Sequence, residues 1–516
     1  MNRSSGILMA VSSLPSPYGI GTLGKAAYDF ADFLHDAGQG YWQMLPLGPT
    51  SYGDSPYQSF SAYAGNPYYI DPELLVADGL LTKKECKSCD WGDDPRNVDY
   101  GKIYESRFAL LHKAFQRGWE RDSAEVAAFA ADNARWLPDY ALYMACKRHF
   151  GMKPWTEWPE AIRLREEKAL EKYRTLLAED VSFFVYVQYL FFKQWNVLRD
   201  YVHALHIRII GDLPIYVAMD SADVWAEPQF FQLDDKLVPK AVSGVPPDYF
   251  CADGQLWGNP LYDWDAMRDD GFGWWIRRID GAGKLFDVLR IDHFRGFDTY
   301  WAIPAGSSTA CTGKWEIGPR MDLFHALEAA LGKLPIIAED LGELFPSVRE
   351  LLVDSTFPGM KVLQFAFGGG DSEYLPHNHV KNSVVYPGTH DNTTLTDWWE
   401  NAATGKEKAN AAAYLHLTPC KPTVKEVAAV KPDAARIALL RAALGSVADR
   451  AIIPMPDWLG LGAEAHLNTP GKLGGNWTWR AAKGFDAEPL ASRIQAECEV
   501  YCRAKEPVEK EAKTSI

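Results

Sequence analysis

No apolar run in this sequence reaches the ~20 residues that span a bilayer. The most apolar stretch, Val181 to Phe192, is interrupted by Ser182 and Gln188. At the head of the chain only five apolar residues, Ile7 to Val11, follow Met1 to Gly6, too few for a signal-peptide core. Cysteine is sparse and unpatterned. Of 8 cysteines only Cys86 and Cys89 form a C-x-x-C pair, and no second pair at zinc-ligand spacing accompanies it. The sequence therefore predicts a soluble, cytoplasmic protein with reduced thiols, no membrane partner and no metal site. Positive charge is also in deficit, with 53 Lys and Arg against 68 Asp and Glu and a formal net charge of −15. That balance argues against a nucleic-acid partner or an anionic membrane, and makes a neutral ligand the easier inference. No G-x-G-x-x-G, P-loop, serine elbow or H-E-x-x-H motif is present.

What the chain has is aromatic mass, including 19 tryptophans, and a series of short apolar runs. The tryptophans have two readings, filling for a large core or flat platforms for sugar rings, and their location decides between them. Eight runs look like strands buried on both faces: Gly6–Val11, Tyr41–Leu47, Ile207–Leu213, Phe286–Ile291, Pro335–Glu339, Met360–Phe367, Ser383–Tyr386 and Ala451–Pro454. Helical patterns separate many of them, as at Lys25–Ala37, Phe191–His203 and Val348–Val353. Eight strands alternating with helices predict a single α/β domain over 1–516, a (β/α)8 TIM barrel. Large insertions are expected after strands two and three. The stretch 48–206 is far too long for a loop and carries helical patterns at Lys102–Arg117, Ala124–Phe129, Asp139–Phe150 and Arg163–Leu177. It predicts a helical subdomain over about 70–200. Residues 214–285, rich in Trp, Pro, Gly and Asp, predict a loop-rich excursion of loops and short elements on the rim. The stretch Asn401–Arg450 is expected to be helical, and Arg503–Ile516 to fray.

Catalysis in such a barrel sits at the carboxyl ends of the strands. Arg290 and Asp292, two apart in the fourth strand, face the same way. An inward Asp beside an inward Arg should stay ionised, as a carboxylate nucleophile must; a structural ion pair is the alternative. Glu339 ends the apolar fifth strand, where partial desolvation raises a carboxyl pKa and suits a general acid; a helix cap is the alternative. The seventh strand runs into Thr389-His390-Asp391-Asn392, a third carboxylate with a histidine beside it, or else a simple Asx-turn. Three carboxylates at three strand ends match the paired nucleophile and acid of retaining glycoside chemistry.

The residues then carry a family resemblance, in order, from about residue 6 to about 480. The segments are 12–21 (SSLPSPYGIG), 48–62 (GPTSYGDSPYQSFSA), 211–217 (GDLPIYV), 244–248 (GVPPD), 256–260 (LWGNP), 290–296 (RIDHFRG), 338–342 (AEDLG), 388–392 (GTHDN) and 468–471 (NTPG). The sequence resembles the 4-α-glucanotransferases called amylomaltases or disproportionating enzymes, glycoside hydrolase family 77 of the α-amylase superfamily. The resemblance implies that Asp292 is the nucleophile, Glu339 the acid and base, and Asp391, with His390, the grip on the ring hydroxyls. It implies that Arg290 keeps Asp292 ionised, that Asp212 binds the sugar beside the cleavage point and that Tyr57 stacks on it. Ser55, Gln255, Trp257 and Asn468 would line the groove, and the loop Val245–Asn259 would close over the acceptor side. It implies no cofactor; an amylase-like calcium site stays open, though no EF-hand pattern is present.

Three functions follow from different premises. The favoured one transfers a segment of an α-1,4-glucan, such as maltose, maltotriose, longer maltooligosaccharides or amylose, to the 4-hydroxyl of another glucan. An α-1,4-glucan hydrolase of the α-amylase type would use the same residues. A non-catalytic glucan-binding protein would need the aromatics but not the three carboxylates. The sequence carries no sign of its oligomeric state, and a monomer is compatible with it.

Overall fold

The computed structural model describes residues 3–51, 53–247, 253–342, 344–472 and 474–505. Its strands, in chain order, are β1 (Ser4–Leu8), β2 (Tyr41–Gln43), β3 (Arg208–Pro214), β4 (Ala241–Val245), β5 (Gln255–Pro260), β6 (Val288–Asp292), β7 (Thr299–Pro304), β8 (Lys314–Ile317), β9 (Ile336–Ala338), β10 (Gly359–Val362), β11 (Ser383–Tyr386) and β12 (Arg450–Pro454). Eight of them close a parallel barrel in the order β1-β12-β11-β10-β9-β6-β3-β2. Each coincides with one of the eight apolar runs, so the (β/α)8 expectation holds.

Alternation along each strand sorts side chains into two cores. Outward residues such as Trp42, Ile209, Leu289, Ile291 and Ile453 pack against the surrounding helices. Inward residues, among them Leu8, Ile210, Val288, Ile337, Val384 and Ile452, fill the barrel floor. The same parity carries upward. Asp212 follows Ile210, Arg290 and Asp292 follow Val288, and Glu339 follows Ile337, so all four polar groups point inward above an apolar plug. The β3–β6 register sets Asp212 opposite Arg290 and Pro214 opposite Asp292. At the same level the inward Tyr386 hydroxyl donates to Gln43 Oε1 over 2.8 Å.

Helices Lys25–Asp36, Ala178–Ala204, Gly273–Leu285, Met321–Leu331, Pro346–Ser355 and Pro432–Gly445 lead into β2, β3, β6, β9, β10 and β12. The β10–β11 connection differs. It carries only the 3-10 turns Leu363–Phe365 and Pro376–Asn378, and the run Gly368-Gly369-Gly370 between them disfavours a helix. Between β2 and β3 lie helices Pro72–Ala77, Lys83–Lys87, Tyr100–Gly118, Ser123–Asp132, Leu137–His149, Glu160–Arg163 and Glu167–Leu176 before Ala178–Ala204. Among the described residues no single helix is long and apolar enough to cross a membrane. The apolar stretch 181–192 lies within Ala178–Ala204, where Phe183, Val187, Leu190 and Phe191 are core residues.

Three expectations need correction. The pattern at Arg163–Leu177 is two helices, because Arg165 adopts a left-handed φ of 58° that breaks the run. Asn401–Arg450 is divided among Gly405–Tyr414, Val424–Ala428 and Pro432–Gly445 by Pro419, Pro422 and Pro432. The short elements after β3 include two strands: β4 and β5 join β7 and β8 in a separate antiparallel sheet of order β5-β4-β7-β8. Arg503 does not fray. It is 1% exposed, and its guanidinium donates to Leu444 O at 2.7 Å, Ser4 O at 2.9 Å, and Ser446 O and Ala448 O at 2.8 Å. One planar fork thus satisfies carbonyls where β1 and β12 begin. Residues 506–516 of that tail lie outside the described residues. Most tryptophans are buried core; Trp257 is among the few only partly covered.

Candidate active site

The floor of the barrel mouth is a charged cluster built on strands. Arg290 Nη1 stands 2.8 Å from both carboxylate oxygens of Asp212 and 3.0 Å from Asp292 Oδ1. Asp212 and Arg290 are buried, whereas the Asp292 side chain is 29% exposed, at the bottom of the opening. One guanidinium therefore serves two carboxylates, and its closest partner is Asp212 rather than Asp292. This changes the ionisation expected for Asp292. Burial outweighs the pull of Arg290 and, with the nearby Asp212 and Asp391 charges, lifts the Asp292 carboxyl to about 6. It ionises at neutral pH, but with less margin than the Arg-Asp spacing implies.

Glu339 follows β9 and is clamped from two sides. The His293 N–H donates to its Oε2 at 2.7 Å and the Leu341 N–H to its Oε1 at 3.0 Å. His293 reaches it because the chain turns immediately after Asp292 into a left-handed conformation, φ 54°, a costly geometry for a residue with a Cβ. Among the described residues Glu339 has no cation as an ion-pair partner. Burial foremost, and the charge of Asp292 next, push its carboxyl up to about 8 against the opposing effects of Arg290 and the two N–H donors. Two carboxyls of one pocket are thus pulled apart, Asp292 deprotonating first and Glu339 holding a proton at neutral pH. Asp340, of opposite parity, is used structurally: it accepts from Met360 N at 2.6 Å. A Cβ at Gly359 would come within 2.5 Å of its Oδ2, so a larger residue there would have to displace the Asp340 carboxylate.

The wall over the floor is built from loops and from the rim strand β5. The Tyr57 hydroxyl donates to Asp212 Oδ2 at 2.9 Å and meets His390 Nε2 at 2.7 Å, and its ring stacks on the His390 ring at 5.4 Å and 16°. Ser55 Oγ accepts from Tyr57 N at 3.3 Å, which fixes the turn presenting Tyr57. Asp391 lies 3.4 Å from His390 Nε2, and Asn468 Nδ2 donates to its Oδ1 at 2.6 Å. The buried Nδ1 of His390 has no hydrogen-bond partner among the described residues. On the other side Trp257 Nε1 donates to Gln255 Oε1 at 3.1 Å, and the indole meets the His293 ring edge-on at 4.7 Å. Burial and Arg295 push His293 down to about 3, so it is neutral against that indole.

All eleven site residues singled out in the sequence therefore fall into one connected network. One was incompletely understood: Arg290 binds Asp212 more closely than Asp292. Missed were His293, whose N–H holds Glu339, and Trp477, whose ring lies 5.7 Å from Tyr57. A non-glycine residue in left-handed backbone leaves no mark in the sequence. Of the acceptor-side loop, 248–252 lie outside the described residues, as do Asp248 of the GVPPD segment and Tyr52. No group of three or more His, Cys, Asp and Glu that could hold a metal occurs among the described residues, and Cys86 is a buried free thiol.

A family model described as 4-alpha-glucanotransferase, glycoside hydrolase family 77, matches residues 9–485. The chain belongs to the 4-α-glucanotransferase family. The 4-alpha-glucanotransferase of Clostridium butyricum is 46% identical over 499 residues, 96% of this chain and 100% of that protein. That of Thermus thermophilus is 47% identical over 504 residues, 96% and 98% of the two chains. The structure is similar to that of amylomaltase from Streptococcus agalactiae in complex with acarbose, with a TM-score of 0.92 and 42% identity over 98% of this chain and 100% of that one. The amylomaltase of Corynebacterium glutamicum shares the fold at a TM-score of 0.77 and 17% identity, over 96% of this chain and 75% of that one. As a member of the 4-α-glucanotransferase family the enzyme carries out glucan transglycosylation. The hydrolase alternative gives way to the near-full-length match with transferases.

Proposed function

We propose that the enzyme transfers α-1,4-glucan segments by double displacement with retention, on Asp292 and Glu339. The observation that carries this is the split between the two carboxyls: Asp292 beside a guanidinium, Glu339 held by two backbone N–H groups and without one. Asp292 attacks the anomeric carbon as Glu339 passes its proton to the departing sugar oxygen, leaving a β-glycosyl ester. The acceptor 4-hydroxyl then gives its proton to Glu339 and attacks the same carbon, expelling Asp292 and restoring the α-linkage. Asp391, with His390 beside it, grips the ring hydroxyls, Asp212 binds the sugar beside the cleavage point, and Tyr57 stacks on it. Arg290 holds the two aspartates together. Gln255, Trp257, Ser55 and Asn468 line the groove, with Trp257 as the acceptor platform.

Donors and acceptors in this reading are α-1,4-glucans, from maltose and maltotriose to amylose. Residues 70–200 act as a helical inserted subdomain, supported by the helices between Pro72 and Ala204. Residues 214–285 build the rim, supported by the Trp257–His293 contact. A cytoplasmic location fits the seven free cysteines among the described residues. The test is incubation with maltotriose: transfer yields a ladder of longer and shorter glucans with little new reducing power. Reducing ends that rise in step with bond cleavage would contradict it.

A further inference from the structure

Asp391 sits in a turn, five residues past the end of β11, and the turn is held from outside. Thr389 N and Oγ1 donate to Asn392 Oδ1 at 2.9 and 3.0 Å, and Gln364 Nε2 donates to Thr393 O at 2.7 Å. Directly after it, Thr394 caps the short helix Leu395–Asp397. The first N–H groups of a helix have no acceptor within it, and Leu395 is fully buried. Its N–H donates over 2.7 Å to Oδ1 of Asp457.

Asp457 lies in the helix Met455–Leu459, which follows β12, and is 2% exposed. The same segment runs on to Asn468, whose amide holds the Asp391 carboxylate. The chain beyond β12 therefore grips the chain beyond β11 twice, at Asp391 itself and at Leu395. Its own position is fixed by Arg436 Nη1, which donates to the Asp457 carbonyl at 2.8 Å.

We propose that Asp457 is a positioning residue for the transfer reaction: its carboxylate fixes the chain leaving Asp391 and so sets the orientation of His390 and Asp391 over the sugar. This rests on the role assigned to Asp391 above. A buried carboxylate accepting a backbone N–H is a stronger anchor than a neutral acceptor. Charged groups on the elements around it are Arg436 with its partner Asp433, Arg493, which bonds the Trp458 carbonyl, and Asp397. Burial lifts the Asp457 carboxyl to about 7, against the Leu395 N–H and Arg436. The anchor is therefore charged above that pH and weakens as pH falls through it.

The experiment compares Asp457→Ala, Asp457→Asn and Asp391→Asn on maltotriose, with kcat and KM measured from pH 5 to 9. Asp457→Ala is expected to lower kcat by about ten- to a hundredfold, the effect of misplacing a group by about 1 Å, with a smaller change in KM. Asp457→Asn keeps a neutral acceptor at every pH. It is expected to lose only a few-fold, about two- to tenfold, and to shift the acidic limb of kcat to lower pH. Wild-type kcat and acidic limb in both Asp457 variants, with Asp391→Asn inactive, would overturn the inference. So would a lower Tm with kcat per folded molecule unchanged. If Asp457→Ala does not fold, Asp457→Asn decides by its pH profile. An active Asp391→Asn would instead remove the reading on which the inference stands.

Discussion

The floor and the wall of this site are built differently. The floor groups, Asp212, Arg290, Asp292 and Glu339, stand on or directly beyond adjacent barrel strands, and a two-residue period with parallel register is enough to bring them together. The wall groups, Ser55, Tyr57, Gln255, Trp257, His390, Asp391 and Asn468, come from loops and rim strands. They meet only through contacts such as Tyr57 to His390. The contrast suggests a division of labour. Bond making and breaking is assigned to rigid strands, where a carboxyl's environment can be fixed, and substrate choice to loops.

The sharpest way to break that division is at the floor. Asp292→Asn should leave the fold intact and lower maltotriose turnover by roughly 10⁴-fold or more, as removal of a nucleophile does elsewhere. Turnover near wild type would end the assignment. Next in size, Arg290→Met leaves the buried Asp212 and the half-buried Asp292 without their cation. It should cost about 3–5 kcal/mol of stability, read by denaturant unfolding. It should also move the acidic limb of activity to higher pH, because a carboxyl losing a nearby cation holds its proton more tightly.

The unmodified enzyme tests the same electrostatics more gently. On the proposed mechanism activity needs Asp292 deprotonated and Glu339 protonated, so the kcat/KM profile should be a bell, with an acidic limb between about 6 and 7, where Asp292 and the Asp457 anchor gain protons, and an alkaline limb near 8. A profile flat from pH 5 to 9 would contradict the split. The smallest effect belongs to the wall. Trp257→Ala should leave the carboxylates untouched yet lower the ratio of segments transferred to reducing ends released by about three- to tenfold, the worth of one stacked ring. An unchanged ratio would make Trp257 packing alone.

The same contrast governs what could be read from the chain. Parity alone put Arg290 beside Asp292, and the apolar run before Glu339 gave the direction of its shift. What parity does not give is magnitude: burial acts on Asp292 more strongly than the Arg290 charge, and only the depth of the pocket reveals it. Wall residues were legible through family motifs, not through periodicity. The sheet of β4, β5, β7 and β8 escaped notice because its strands are short and mixed, with Lys314-Trp315-Glu316-Ile317 half polar and Gly244 and Gly258 interrupting two others. Arg503 was read as tail because its carbonyl partners lie far away in sequence. Asp457 was invisible for the same reason.

The central claim is that Asp292 carries the glucan and Glu339 moves the proton. It is tested most directly by offering Glu339→Gln an α-maltosyl fluoride, whose leaving group needs no acid, and weighing the protein. Without a base to activate the acceptor, the ester should accumulate. The account predicts a mass gain of one maltosyl unit on the peptide containing Asp292; no adduct, or one on another residue, would contradict it.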